Sequence, residues 1–378
     1  MGTPVLLVLT ALRWVGAARM PRALAQAGFD VTLLTPPGSL AEKSGFVAKI
    51  AYLPEKATPD AWVHAFAATA KATEARLVVP CDDNAFTLLH RLVTSPPEGL
   101  QPALHRELAT LITDSLGDPA HYAATVDPTL LPAAAAALGL GVPTHAIVTD
   151  FAGAQAFGAA HGYPLVLKNR RSSDGVTVGK HSELAGAIAA LSPVAANGRD
   201  ETRDALLVQA QVRGRLRSYQ SVAWRGQLLA GFAGERIHDE ATRGRQTGVN
   251  RYFRNDALRE TATRAARGFG ISGLFSLQGV VAESGDFRLL EINRRLLGGA
   301  HRGSEFGVDH CAALHAAMHD RPYAGRTDLD EGEEHICVSF PQEWLRDPES
   351  KWLRDYPVDV PWDEPELFEA MLDLYPTS

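Results

Sequence analysis

Leu165-Val166-Leu167-Lys168-Asn169-Arg170-Arg171-Ser172-Ser173-Asp174-Gly175-Val176-Thr177-Val178 is the stretch whose reading decides the fold. Two apolar runs, Pro164–Asn169 and Val176–Lys180, flank a polar turn carrying Asp174-Gly175, a pattern that predicts an antiparallel hairpin. Lys168 ends the first of these strands, so a cation is held on a rigid element directly before a loop of hydroxyls and glycine. Such a charge, followed by serine hydroxyls and exposed backbone N–H groups, suits a polyphosphate. A surface hairpin with basic decoration would carry the same residues, so the choice rests on the remainder of the chain.

Upstream, the first 115 or so residues alternate strand-like and helix-like segments. Val5–Thr10, Val31–Thr35 and Leu77–Pro80 read as strands. Ala17–Ala27 reads as a helix closed by Gly28, with further helices capped by Asp60 and Asp83. That alternation predicts a parallel sheet covered on both faces. The turn after the first strand, Ala11-Leu12-Arg13-Trp14-Val15-Gly16, lacks the G-x-G-x-x-G backbone that lets a pyrophosphate approach, which argues against a dinucleotide site. A helical alanine run, Leu131–Leu138, leads into the hairpin. Downstream, Ser182 is placed to cap a helix over Glu183–Leu191, and Ser192–Asp204 is a polar connector. Leu206–Val212, Leu216–Trp224 and Gln227–Ile237 read as three more strands, and His238–Arg251 as a long polar loop. A helix from Asn255 to Phe269 precedes a final hairpin, Gly273–Ala282 with Phe287–Asn293, turned by four residues. The tail ends in a helix near Pro365–Leu374.

The last strand ends in Glu291-Ile292-Asn293, which puts Glu291 and Asn293 on one face about 7 Å apart at ~3.4 Å per residue. A four-residue turn pairs Ala282 with Phe287 and therefore Gln278 with Glu291, bringing three oxygen donors together. Hard oxygen ligands of this kind suit magnesium, which keeps waters and phosphates for its other positions. Polar residues facing solvent at a strand end are the plain alternative.

Composition sets the outer limits. The chain has 378 residues, 46% hydrophobic and 21% charged, with 37 basic against 44 acidic side chains. The net charge of −7 gives no sign of a nucleic-acid partner or an anionic membrane surface. No apolar run approaches the ~18 residues of a membrane span. Cys81, Cys311 and Cys337 are too few and too scattered for a disulfide framework or a C-x-x-C metal site, and they fit a reducing, cytoplasmic setting. His315 and His319, four residues apart, lack a third ligand and are read as non-metal; Cys81 is read as a core thiol before a helix cap.

In order and spacing, the strand-Lys168-loop-strand, then Leu207-Val208-Gln209-Ala210-Gln211-Val212-Arg213-Gly214, then Leu290-Glu291-Ile292-Asn293-Arg294-Arg295 resemble the ATP-grasp superfamily. The resemblance runs from about Ser115 to His319 and implies an α/β and α+β chain. Residues 1–115 would form a pre-ATP-grasp parallel α/β domain. Residues 116–204 and 205–325 would form the two ATP-grasp subdomains, and 326–378 a C-terminal extension. It implies ATP and Mg2+. Lys168 falls on the phosphate lysine, and Arg171–Val178 on the flexible loop, with Ser172, Ser173, Gly175 and Val176 against the phosphates. Gln209, Ala210, Gln211 and Val212 fall on the hinge strand that contacts adenine. Glu291 and Asn293 fall on the metal ligands, joined by Gln278. Arg295 falls on the arginine that steadies the transferring phosphoryl group, and Arg236 is a second catalytic candidate.

Three positions depart from the family pattern. Asp127-Pro128-Thr129 stands where many relatives have Asp-Lys, Arg215-Leu216-Arg217 near a common ribose-binding acid, and Gln278 in place of a metal carboxylate. Arg170, Arg171 or Arg217 are the candidates to replace the absent charge. The implied activity joins a small-molecule carboxylate to an amine through an acyl-phosphate, with Leu296–Gly303 near the acceptor. A homodimer is compatible with this reading. The competing readings are a nucleotide-binding regulatory protein without catalysis and an ATP-grasp phosphotransferase.

Overall fold

Alternating apolar residues build the first sheet. β1 (Thr3–Val8), β2 (Phe29–Thr35), β3 (Lys49–Tyr52) and β4 (Leu77–Pro80) pair in parallel in the order β3-β2-β1-β4, with Val5 opposite both Val31 and Leu77. The central strand is apolar throughout because helices cover both of its faces. Those helices are α1 (Val15–Gln26), α2 (Pro59–Ala72), α3 (Asp83–Thr94) and α4 (Pro102–Leu116). The computed structural model describes residues 2–54, 58–170, 175–191, 205–237 and 248–374. Expectations for residues 171–174, for the connector at 192–204 and for the loop at 238–247 lie outside these.

Helix starts correct two assignments. Thr58, not Asp60, caps α2: its hydroxyl accepts from the Ala61 N–H at 3.2 Å, and Pro59 follows at the first helical position, where no N–H is needed. Asp82, not Asp83, caps α3. Its carboxylate accepts from the N–H groups of Ala85 at 2.8 Å, Thr10 at 2.6 Å and Ala11 at 3.1 Å, and from the Thr10 hydroxyl at 2.7 Å. One side chain thus ties the loop after β1 to the start of α3.

The chain continues through α5 (Tyr122–Val126), α6 (Leu131–Ala137), β5 (His145–Val148), α7 (Phe151–His161), β6 (Leu165–Lys168), β7 (Val176–Val178), α8 (Leu184–Leu191) and β8 (Leu206–Ala210). The expected hairpin is β6 with β7, antiparallel, with Leu165 opposite Val178. The sheet order is β5-β8-β6-β7. Ser182 caps nothing: a short 3-10 turn at His181–Glu183 precedes α8, and the Glu183 carboxylate accepts from the Gly179 N–H at 2.8 Å.

A third sheet follows: β9 (Gly214–Trp224), β10 (Gln227–Arg236), β11 (Val249–Phe253), then α9 (Asp256–Gly268), β12 (Gly273–Ala282), β13 (Phe287–Asn293), α10 (His310–Met318) and β14 (Glu334–Val338). Its order is β13-β12-β9-β10-β11-β14. β11 lies at the end of the stretch expected to be a polar loop. Val249, Tyr252 and Phe253 are buried there, and the strand is paired on both sides, with β10 and β14. α11 (Gln342–Arg346), α12 (Lys351–Asp355) and α13 (Pro365–Asp373) complete the chain.

By contacts the chain divides into two compact units: residues 1–120 with 218–276 and 293–378, and residues 121–217 with 277–292. Within the first, Leu367 and Met371 of α13 join the core formed by β1, β2, β4 and α1. Also within it, the His310 imidazole is buried and stacked on Phe232, ring centres 5.0 Å apart, and burial pushes its pKa down to about 4.

Two outcomes follow. Asp82→Ala should lower stability by about 2 kcal/mol in a denaturant titration, through the lost cap and loop hydrogen bonds, whereas Asp83→Ala, an exposed first-turn residue, should change it little. For His310 the native pKa lies below that of the unfolded chain, so the unfolded state binds the extra proton as pH falls. Stability attributable to this group is full above pH ~6.5 and falls by about 3 kcal/mol by pH ~4. His310→Phe, which keeps the stack, should lose that part of the acid sensitivity in parallel titrations.

Candidate functional site

The sheet of the second unit divides its side chains by alternation. Leu165, Leu167, Leu206 and Val208 pack with Phe157 of α7 and Leu184 of α8 in that unit's core. Register places Lys168 opposite Leu207 and Val166 opposite Gln209, so Lys168 and Gln209 share the other face. Both are buried, 7% and 3% exposed. Among the described residues no hydrogen bond or ion pair engages the Lys168 ammonium. The stem of the side chain is buried while its ammonium keeps access to solvent, so an anion can reach it on this face.

Gly175 re-enters the sheet against this lysine. A Cβ there would meet Val166 Cγ1 at 2.5 Å and Lys168 Cγ at 3.2 Å, so only glycine lets the loop close on the strand. Val176 begins β7; Ser172 and Ser173 lie outside the described residues. After Gln209, the Ala210 N–H donates to the Thr144 carbonyl and the Gln211 N–H to that of Pro164, which carries the chain out of the strand towards Val212. At the neighbouring departure, Arg170 Nε donates to Asp127 Oδ2 at 2.8 Å, and Asp127 Oδ1 accepts from the Thr129 N–H and hydroxyl at 2.8 and 2.6 Å. Of the three arginines considered as replacement charges, Arg170 is anchored at this turn, and Arg171 lies outside the described residues.

The metal candidates sit on β12 and β13. Glu291 is half-buried and Asn293 buried, at alternate positions of β13. The hairpin differs from expectation. Gly285, at φ 89°, donates its N–H to the Ala282 carbonyl, and the Ala282 N–H donates to the Asp286 carbonyl. This is a three-residue turn with a glycine bulge, which sets Ala282 against Asp286 and not Phe287. Carried along a regular ladder, that register puts Gln278 opposite Leu290 and Glu291 opposite Leu277. Among the described residues no three His, Cys, Asp or Glu side chains gather as a metal cluster.

Arg295, in the first unit, is held on three sides. Its Nε donates to Asp83 Oδ1 at 2.7 Å, its Nη1 to the Leu296 carbonyl at 3.1 Å, and its guanidinium lies 5.3 Å from the centre of the Trp14 ring. Neither Trp14 nor Asp83 is placed at the site by the sequence: Trp14 lies in the turn weighed for its missing glycines, and Asp83 reads there as a helix cap. A tryptophan at a helix N-cap, where small polar residues are favoured, was the available signal. Gly16 serves the same corner: a Cβ there would come within 2.9 Å of the Gly298 Cα. Arg294 turns inward to the Leu116 carbonyl and over the Phe86 ring. Arg236 ends β10 opposite Asn250, exposed.

The remaining candidates are accounted for by packing. His301 Nε2 lies 3.0 Å from Asp359 Oδ2, and Arg302 donates to the Val338 carbonyl at 3.1 Å, so both turn into the protein. His315 and His319 both direct their Nε2 atoms to the Thr3 hydroxyl, at 3.0 and 2.7 Å. Cys81 is buried, and burial together with neighbouring Asp82 pushes its thiol well up, which leaves it a core residue and not a nucleophile.

Residues 202–338 match a protein family described as ATP-grasp in the biosynthetic pathway with Ter operon. No curated protein matches the chain. Among solved structures, it is similar to a biotin carboxylase–β,γ-ATP complex from Campylobacter jejuni, with TM-score 0.66, 14% identity, and coverage of 89% of this chain and 75% of the other. It is also similar to N5-carboxyaminoimidazole synthase from Aspergillus clavatus in complex with ADP and 5-aminoimidazole ribonucleotide (TM-score 0.64, 15% identity, 89% and 81%). An L-amino acid ligase from Bacillus licheniformis gives TM-score 0.56 at 14% identity, covering 84% and 74%. At these identities the structures share a fold, a parallel α/β domain followed by antiparallel α+β sheets. Residues 202–338 thus match an ATP-grasp family, and the chain as a whole shares the fold of these solved structures.

Proposed function

We propose that the protein is an ATP-dependent ligase that joins a small-molecule carboxylate to an amine. The observation that carries the reading is Lys168, its stem buried and its ammonium without a partner among the described residues, on the sheet face it shares with Gln209. In this reading Lys168 and the loop through Ser172, Ser173, Gly175 and Val176 hold the phosphates, while Gln209, Ala210, Gln211 and Val212 line the adenine. A carboxylate oxygen attacks the γ-phosphorus and ADP leaves, giving an acyl-phosphate. The amine nitrogen then attacks the acyl carbon, phosphate leaves, and the nitrogen gives up its proton. Little covalent chemistry falls to the protein, whose task is positioning and charge neutralisation. Arg295 meets the charge on the transferring phosphoryl group or the tetrahedral oxyanion, with Arg236 the second candidate.

The donors on β12 and β13 are hard oxygens, which is the chemistry magnesium requires. Glu291 and Asn293 would hold it; the three-residue turn sets Gln278 across from Leu290, on the opposite face of the hairpin, which removes it as the third donor the sequence suggested. When bound, the ion neutralises phosphate charge. The second reading, a nucleotide-binding regulatory protein, draws on Pro128 and Gln278, where a lysine and a carboxylate of the family pattern are absent. A phosphotransferase would yield a phosphorylated product and no amide.

ATP or ADP with magnesium should raise the melting temperature and NAD should not; at ~100 times the dissociation constant a ligand stabilises by about 2.7 kcal/mol. Lys168→Met, which keeps the length of the buried stem, should leave the ligand-free melting temperature nearly unchanged and should lose the nucleotide shift. Stabilisation by NAD alone would overturn the reading. Phosphate release with pools of amino acids, followed by mass spectrometry, separates the activities: amide products support the ligase, phosphorylated products the phosphotransferase, and nucleotide binding without turnover the regulatory protein. Glu291→Ala should abolish turnover and Asn293→Ala reduce it less, because water replaces one neutral oxygen. Gln278→Glu, on the opposite face, should leave the magnesium midpoint unchanged; a tightened midpoint would return Gln278 to the site.

A further inference from the structure

An arginine side chain carries about 2 kcal/mol of rotamer entropy, and an exposed one samples many conformers. Arg295, 21% exposed, is fixed instead by three contacts of different kinds. The Trp14 indole supports its flat face, Asp83 takes Nε and the Leu296 carbonyl takes Nη1. Among the described residues nothing engages Nη2. The fork therefore keeps one edge uncommitted while its plane and direction are set.

Stability does not account for Asp83, and for Trp14 it accounts only for the part of the ring that packs against the core. Asp83 is 67% exposed, and a surface ion pair of this kind contributes little to folding. The capping task at α3 belongs to Asp82. Trp14 occupies the N-cap of α1 without a side-chain cap bond, a place where an indole gains the helix nothing. What the two residues share is the guanidinium between them.

We infer that Trp14 and Asp83 are positioning residues, which set the Arg295 guanidinium so that its Nη2 edge meets the oxygens of an anionic reacting group, a phosphoryl or tetrahedral oxyanion. The inference rests on the ligase reading above. Ordering the cation before the reaction means that no reorganisation is needed as charge develops.

Steady-state kinetics with the carboxylate and amine found by product screening provide the test. Trp14→Ala and Asp83→Ala should each lower kcat about ten- to a hundredfold and leave the KM for ATP unchanged. Trp14→Phe, which keeps an aromatic platform, should retain most of the rate. In an Arg295→Ala background neither substitution should lower kcat further, because both act through the side chain already removed. Wild-type kcat in both single variants, or losses that simply add to that of Arg295→Ala, would overturn the inference and leave the ligase reading standing. If Trp14→Ala fails to fold, Asp83→Ala and Trp14→Phe with their Arg295→Ala doubles decide it. Wild-type protein that binds nucleotide but makes no product from any pool overturns the ligase reading, and this inference with it.

Discussion

The two faces of one small sheet constrain the second unit. Its strands are short: β6 has four residues, β7 three and β8 five. A sheet so small has little apolar surface, and its core spends Leu165, Leu167, Leu206 and Val208 on one face against α7 and α8. The opposite face carries Lys168 and Gln209, both largely buried. A side chain as long as lysine covers such a face with its apolar stem and keeps its charged head at the edge, in reach of solvent.

The first unit meets its polar interior in another way. Asp359 accepts from the Phe340 N–H at 2.6 Å and lies 3.0 Å from His301, and neighbouring Arg302 reaches the Val338 carbonyl. These bonds fasten the segment after β14 to the turn at Ala300–Phe306. The C-terminal residues are thus part of the first unit's interior: β14 pairs with β11, and α13 contributes Leu367 and Met371 to the core.

Much of this was legible in the residues. Alternation and turn chemistry located β1, β2 and β4, the β6–β7 hairpin, and the pair β12 and β13, because each is a strongly patterned apolar run bounded by glycine, proline or aspartate. β3 was missed because Lys49–Tyr52 is an exposed edge strand with no apolar face to read. β11 was missed because Asn250 and Arg251 interrupt it, and its strand character comes from pairing on both sides. The caps at Thr58 and Asp82 were each misplaced onto a nearby aspartate, since acidic residues favour both the cap and the first turn, and only the accepted N–H tells them apart. At the site, Lys168 and Glu291 stood out as charges ending apolar strands. Trp14 and Asp83 did not, because they meet Arg295 only through tertiary structure, and no spacing along the chain records that meeting.

The close approach at Gly16 has a consequence for how this sequence can drift. A single methyl at residue 16 must displace the backbone at Gly298, three positions beyond Arg295, since no flexible side chain stands between them to yield. Gly298 has open space around its own Cβ position, so the restriction is one-sided. Residue 16 is therefore a narrow mutational target: an allele altered there leaves every polar group of the site intact in the gene and still shifts the segment in which Arg295 sits.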